Sequence, residues 1–231
     1  MLCIIIPFFN EEDNILPLVE EVEKVIRKNN LNIDIVTVND GSTDRTLSKL
    51  REMSKTFENI KIVSYEKNKG IGGALKEGIK FALKRYTAIL FMDGDLSHDP
   101  HYIPVFVNKI EDYDLVVGSR YIKGGGMENV PFYRVFISKM GNMFMRNMLR
   151  VPVSDITTGY RMVRTKVLKR MSLERSDFMI QVEMIAKVRT KNITEIPILL
   201  KNRQMGASKF HMSLKVLLSY VAFTLKMRNV Q

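Results

Sequence analysis

Residues 88–100 read Ala-Ile-Leu-Phe-Met-Asp-Gly-Asp-Leu-Ser-His-Asp-Pro, and this stretch constrains the fold more than any other. Five apolar residues bounded by a turn signal predict a strand buried on both faces, as in the middle of a parallel sheet. Its C-terminal end carries Asp93 and Asp95 with Gly94 between them. Two carboxylates on one tight turn repel each other. A divalent cation held by hard oxygen ligands and by substrate phosphates is the usual way to offset that, and Gly94 lets the backbone pass close to a bulky ligand. An isolated Asp-Gly-Asp is equally compatible with a solvated turn, so the rest of the chain has to decide. Asp99 and Pro100 then restart the chain as N-cap and first-turn residue of a helix.

The same pattern recurs through the first half. Residues 2–6 are a continuous apolar run ending at Pro7, which predicts another doubly buried strand. Asn10, Glu11, Glu12 and Asp13 lead into a helix, with the acidic residues expected in its first turn, where they suit the dipole. Leu16, Val19, Val22 and Ile26 recur at helical spacing as its buried stripe. Residues 33–38 form the next strand and end in Asn39-Asp40-Gly41-Ser42-Thr43-Asp44, a loop with turn chemistry and a helix N-cap. Leu47, Leu50 and Met53 continue as a helical face. Residues 60–63 form a third strand, residues 68–75 a glycine-rich helix start, and residues 115–120 a further strand end. Strands alternating with helices predict an α/β domain with a parallel sheet and crossover helices, whose ligands bind at the C-terminal strand ends. Residues 9–11, Asp40, Asp93, Asp95 and Arg120 all fall at such ends. That convergence locates a site.

A competing motif fails. Gly70-Ile71-Gly72-Gly73-Ala74-Leu75 is similar to a dinucleotide fingerprint, and Asp40 could pass for its ribose-binding acid. The fingerprint, however, follows the first strand, ends in a third glycine and precedes its acid by roughly 20 residues. Here Leu75 stands at the third glycine position, the loop follows a later strand, and Asp40 comes first. A Rossmann dehydrogenase is disfavoured.

Charge divides the chain. Residues 1–119 carry 15 Lys/Arg against 19 Asp/Glu; residues 120–231 carry 21 against 6. A metal-associated ligand suits the first half, and anionic groups suit the second. Residues 131–149 carry Phe132, Val135, Phe136, Met140, Met143, Phe144 and Met148, interspersed with Arg134, Lys139 and Arg146. Such a helix is either core with a solvated rim or an interfacial helix. Residues 178–188 read as a helix with Gln181 and Glu183, a strand-like stretch begins at Ile196-Pro197, and residues 203–209 form a basic loop suited to phosphate. Residues 214–227 hold an uncharged run of only ten residues between Lys215 and Lys226, against about 20 needed to span a bilayer. That end can dock on a membrane or pack on the domain, but cannot cross. The single Cys3 lies in the first apolar run and reads as a small core residue. Met1 leads straight into a strand, with no basic n-region and no cleavage site, so secretion is not expected.

Taken together, the chain resembles family 2 glycosyltransferases with the GT-A fold, most of all dolichol-phosphate mannose synthases and related polyprenyl-phosphate glycosyltransferases. The resemblance runs from about residue 2 to residue 210. It is carried by Pro7-Phe8-Phe9-Asn10-Glu11, Asn39 to Asp44, Asn68-Lys69-Gly70 with Gly73-Ala74, and Asp93-Gly94-Asp95. Gly118-Ser119-Arg120-Tyr121, Asp155 with Thr158-Gly159-Tyr160-Arg161, and Arg203 with Gly206 and Ser208-Lys209 complete it. It implies a GT-A domain over residues 1–210, with a nucleotide-sugar half (1–119) and an acceptor half (120–210), followed by a basic amphipathic helix over residues 211–231. Pro7, Phe9, Glu11, Asp40, Lys69, Gly73, Asp93, Gly94 and Asp95 would bind a nucleotide sugar such as GDP-mannose or UDP-glucose. Asp93, Asp95 and Ser97 would hold Mg²⁺ or Mn²⁺. Asp95, Arg120, Arg134, Arg203 and Lys209 would act in catalysis, and Arg120, Arg134, Ser138, Asp155 and Arg161 would receive a polyprenyl phosphate. Relatives carry Tyr where Phe9 stands and Gln where Ser97 stands, so one hydroxyl contact and the third metal ligand differ here.

The resemblance further implies inverting single displacement at the cytoplasmic face of a membrane, by a peripheral protein without a transmembrane helix. It leaves room for a membrane-anchored partner protein. A lipid phosphate is already anionic near neutral pH and needs no strong base; a hydroxyl acceptor would need one, with Glu183 and Asp155 as candidates. A polysaccharide, glycolipid or protein-linked sugar is the alternative acceptor. Nucleic-acid binding by the basic half is disfavoured, because the chain has no zinc-ligand set, helix-turn-helix or RNP-type aromatic motif.

Overall fold

A computed structural model describes residues 1–188, 190–201 and 214–228, with the side chains of 214–218 and 228 left out of the description. The apolar runs form β1 (Leu2–Phe8), β2 (Ile33–Asp40), β3 (Ile60–Tyr65), β4 (Ala88–Phe91) and β5 (Leu115–Ser119). Further along come β6 (Gly126–Met127), β7 (Arg161–Arg164), β8 (Ile193–Pro197) and β9 (Leu199–Leu200). Seven of these make one sheet in the order β3-β2-β1-β4-β7-β5-β8, while β6 and β9 pair separately. Helices α1 (Ile15–Lys28), α2 (Thr46–Thr56), α3 (Gly70–Ala82) and α4 (Ile103–Lys109) connect the strands of the first half. The second half adds α5 (Phe132–Leu149), α6 (Thr165–Leu168), α7 (Ile180–Lys187) and α8 (Leu214–Arg228).

Because side chains alternate across a strand, β1 feeds two cores. Cys3 and Ile5 join Val36, Val38, Ile79, Phe91, Val117, Ile180 and Met184 on one face. Ile4 and Ile6 join Leu18, Val22, Ile35, Leu90, Phe106, Val116 and Met162 on the other. That is why β1 and β4 read as continuous apolar runs. Both faces are covered.

One strand breaks the parallel rule. β7 runs antiparallel between β4 and β5, with Arg161 opposite both Phe91 and Val117. It offers only Met162 and Val163 as apolar residues, too short a run for periodicity to detect. Its insertion separates the Asp93 strand end from the Arg120 strand end and puts residues 155–160 between them.

Several local expectations are corrected. α1 has no acidic residue in its first turn; the Glu11 and Glu12 N–H groups instead donate to Thr46 Oγ1 and Asp44 Oδ2, pinning residues 10–13 to the loop before α2. Leu16 is 46% exposed, and Ile15 and Leu18 take its place in the buried stripe. The strand expected to begin at Ile196 ends at Pro197. Asp99 caps as expected, its Oδ1 accepting the His101 N–H at 3.0 Å with Pro100 opening the turn. α8 packs on α5 and α7, and Met227 shares an apolar cluster with Met145 and Leu149. The described part of this helix is therefore joined to the domain, and the boundary expected at residue 211 lies outside the described residues. No described helix is long and apolar enough to cross a membrane.

Leu90 is fully buried in β4, where the second core meets α1 and α4. Leu90→Ala should lower unfolding free energy by about 2–5 kcal/mol, read from urea denaturation. A loss below ~1 kcal/mol would contradict this core assignment.

Candidate active site

Where β1, β2 and β4 end, a cavity of about 530 Å³ opens, lined by Pro7, Phe9, Glu11, Asp40, Asn68, Gly70, Asp93, Gly94 and Asp95, with Phe178 on its far side. Asp40 is buried here and held by three donors: Tyr65 Oη at 2.7 Å, Asn68 Nδ2 at 2.9 Å and the Lys69 N–H at 2.8 Å. Burial, and then the bond to Asp40, push the Tyr65 phenol up, so that it stays a donor. Gly41 adopts φ +65°, and a Cβ there would lie 2.5 Å from the Asn68 nitrogen, so the turn that sets Asp40 demands glycine. Asn14 Nδ2 donates to Glu11 Oε2 at 2.6 Å.

Gly94 has a structural role of the same kind. A Cβ there would lie 2.8 Å from both the Phe8 ring and the Pro7 carbonyl. Asp95 Oδ1 accepts the Ser97 N–H at 3.1 Å, and Leu96 between them is forced to φ +64°. Such left-handed conformations cost a non-glycine residue of order 1 kcal/mol and gather at functional turns. His98, buried and stacked on Tyr160 at 4.6 Å, accepts the Asp93 N–H on Nδ1 at 3.0 Å. That leaves the ring proton on Nε2, which faces Asp93 Oδ2 at 3.7 Å. Desolvation in the folded site, and then the Asp95 charge, raise the Asp93 carboxyl above the usual carboxylate range. A hard cation would relieve this repulsion, and the paired carboxylate oxygens suit Mg²⁺ or Mn²⁺. Glu21, Asp99 and His101 also bring ligand atoms together, but Lys201 Nζ already lies 2.9 Å from Asp99, which makes that group an ion-pair network.

A second cavity, of about 520 Å³, also has Phe178 in its lining. Its wall is apolar: Phe136, Ile137, Met140, Phe144 and Met145 from α5, and Tyr220 and Val221 from α8. Its polar end consists of Arg120, Ser138, Asn142, Thr157 and Gln181. Arg120 meets the fully buried Asp155 in a two-pronged pair, Nε to Oδ2 and Nη2 to Oδ1, both at 2.7 Å. The Arg120 N–H also donates to Asp155, and Nη2 to Thr157 Oγ1 at 2.9 Å. Burial pulls the Arg120 pKa down, but Asp155 outweighs it and holds it above the ordinary value. This cation stays charged.

The expected site residues separate into groups. Pro7, Phe9, Glu11, Asp40, Asp93, Gly94 and Asp95 line the first cavity; Arg120 and Ser138 line the second, Ser138 hydrogen-bonded to Tyr121 at 2.7 Å. Lys69 contributes its backbone, because its ammonium pairs with Glu77 at 2.6 Å. Gly73 sits behind, where a Cβ would lie 2.4 Å from the Lys69 Cβ. Asp155 has both oxygens on Arg120. Arg161 is fully buried and caps the carbonyls of Ile156, Thr158 and Gln181; burial lowers it to about 10. Arg134 is exposed, its guanidinium over the Tyr133 ring at 5.9 Å. Ser97 is buried, its N–H on Asp95. Arg203 and Lys209 lie outside the described residues.

With this geometry in hand, comparison decides the family: residues 3–172 match Glycosyl transferase family 2. The chain belongs to that family. It is 34% identical over 211 residues to a dolichol-phosphate mannosyltransferase of Pyrococcus furiosus, covering 89% of this chain and 58% of the relative's length. It is 31% identical over 214 residues to the polyprenol monophosphomannose synthase of Mycolicibacterium smegmatis, covering 89% and 79%. Glucosyl-3-phosphoglycerate synthase from Mycobacterium tuberculosis, solved with Mn²⁺, UDP-glucose and phosphoglyceric acid, superposes with a TM-score of 0.67 over 99% of this chain and 80% of that one. At 15% identity that likeness is one of fold.

Tyr65, His98, Asn142, Thr157 and Phe178 were given no site role by the sequence, and Asn68 stood only as part of a motif. Only Asn68, beside the glycines, and His98, beside the carboxylates, had a signal in the sequence. Asp155→Asn would leave the Arg120 charge, only 12% exposed, uncompensated, so urea denaturation should show a loss of about 3–5 kcal/mol. A change within ~0.5 kcal/mol would mean that the pair does not hold Arg120.

Proposed function

We propose that this chain transfers a hexose from a nucleotide sugar to a polyprenyl phosphate at a membrane surface, with inversion and with a divalent metal. The observation that carries this is the pairing of a carboxylate-edged cavity with an apolar cavity headed by a fixed guanidinium. An apolar wall with a cation at its head suits the phosphate and the first part of a long hydrocarbon chain.

In this reading Pro7, Phe9, Glu11 and Asp40 hold the nucleoside, and Asp93 and Asp95 hold Mg²⁺ or Mn²⁺. When bound, the metal would neutralise charge developing on the departing diphosphate. Arg120 receives the acceptor phosphate and orients one oxygen toward the anomeric carbon. A phosphate oxygen is already anionic, so no carboxylate need take a proton. The alternative, a sugar hydroxyl acceptor, needs a base, and both carboxylates considered for it are engaged. Asp155 is paired with Arg120, and Glu183 accepts the Glu174 and Arg175 N–H groups and pairs with Lys187 at 2.7 Å. Arg203 and Lys209 are proposed to supply positive charge to the diphosphate.

Membrane docking is read from α5. Phe132 is 83% and Phe136 55% exposed, with Ile137, Met140, Met143 and Phe144 also exposed among Arg134, Lys139 and Arg146. An apolar face edged with cations suits an anionic lipid interface. Phe136, Ile137, Met140 and Phe144 belong both to this face and to the apolar cavity, so a lipid chain would pass from bilayer to site without crossing water.

The deciding assay incubates the protein in detergent with Mn²⁺, radiolabelled GDP-mannose or UDP-glucose, and polyprenyl phosphate, then counts label in the organic phase. Metal-dependent transfer is expected, reduced about 100-fold or more by Asp95→Ala. Absence of transfer from either donor, or an Asp95→Ala variant with intact turnover and metal dependence, would overturn the proposal. A Phe136→Asp, Phe144→Asp double variant should lose most of its co-sedimentation with vesicles containing anionic lipid. Undiminished binding would remove α5 as the docking face.

A further inference from the structure

We propose that Phe178 is a partition between the two cavities, seated by the Gly70–Gly72 motif, and that it keeps water from the transferred sugar. This rests on the function proposed above.

Phe178 lines both cavities and is 39% exposed. It stands where donor and acceptor would meet. The backbone before it is fixed from two sides. On one side the Gly72 N–H donates to the Ser176 carbonyl at 2.9 Å. A Cβ on Gly70 would lie 2.6 Å from that same carbonyl, and one on Gly72 would lie 2.6 Å from the Arg175 carbonyl. On the other side the buried Glu183 carboxylate accepts the Glu174 and Arg175 N–H groups at 2.9 Å each. Asp177 then accepts the Met179 N–H at 3.2 Å and the Arg175 Nε–H at 3.0 Å. The motif similar to a dinucleotide fingerprint is therefore a bare surface on which the backbone of Arg175 and Ser176 lies, two residues before Phe178. The same motif adjoins Lys69, whose N–H holds Asp40. The nucleoside end and the partition thus share one foundation.

The chemistry requires such a wall. In transfer, an acceptor phosphate oxygen forms a bond to the anomeric carbon while the bond from that carbon to the diphosphate oxygen breaks, its electron pair leaving with the diphosphate. If water takes the acceptor's place, its oxygen forms that bond, the same bond breaks, and one proton passes to solvent; the product is free hexose. An aromatic ring at the junction of the cavities occupies space beside the sugar from which such a water would attack, while the acceptor phosphate passes next to it. Without the ring that space is open to water.

The test measures, in one reaction, labelled lipid and free labelled hexose from the same nucleotide sugar with Mn²⁺ and polyprenyl phosphate. The ratio of the two is independent of how much enzyme is folded. Phe178→Ala should lower transfer relative to hydrolysis by about ten-fold or more, and Gly72→Ala, which pushes the seat away, should shift the ratio the same way. Phe178→Leu, which keeps part of the wall, should fall between, and it decides the matter if Phe178→Ala is inactive in both reactions. An unchanged ratio in the active Phe178 variants overturns the partition alone. Absence of lipid transfer by the unmodified chain overturns the proposed function, and the partition with it.

Discussion

The pair between Arg120 and Asp155 governs the end of this molecule that holds the apolar cavity. A guanidinium at the end of β5 is held on two prongs by a carboxylate with no exposure, within a segment that also binds Asn142 of α5 through the Ile156 N–H at 2.8 Å. Replacing a buried ion pair by apolar residues is often neutral for stability, while removing one partner is costly. Such a pair is therefore better understood as a device for geometry. It fixes where a charged group stands at the head of an apolar cavity, and it ties sheet, turn and α5 to that position.

A similar logic of fixed backbone runs through the carboxylate-edged cavity. Asp40 is set by three donors, Asp93 by the His98 ring, and Asp95 by its own turn. Glycines act at the points where two segments must touch: Gly41 against Asn68, Gly94 against Phe8, Gly72 against Arg175. Each costs chain entropy on folding, and each brings a chemical group within reach of one of the cavities.

Much of this was legible in the sequence because the relevant physics is local. Doubly buried strands announce themselves as apolar runs, and Asp93, Asp95, Asp40 and Arg120 followed from lying at strand ends. What was hidden depends on contacts distant in the chain. β7 is too short and too polar to show a period, and it gathers Arg161 into the core by capping carbonyls that are made only after folding. Asp155 looks like any acid until Arg120 arrives from 35 residues away. Phe178 reads as the start of a helix, and its place between two cavities depends on glycines a hundred residues earlier. The Phe- and Met-rich residues 131–149 left core and interface undecided. The fold leaves the outer face of α5 uncovered by any described residue and buries only Asn142, Met145 and Leu149.

In the proposed reaction a metal-bound nucleotide and a lipid phosphate meet beside Phe178, one at Asp93 and Asp95, the other at Arg120. Paramagnetic relaxation tests it most directly. Polyprenyl phosphate in micelles is mixed with the protein and GDP or UDP, and the relaxation of its phosphorus signal is followed as Mn²⁺ replaces Mg²⁺. The account predicts strong Mn²⁺-dependent enhancement that is lost in Asp95→Ala and in Arg120→Met. Enhancement that is absent, or that survives both substitutions, would contradict it.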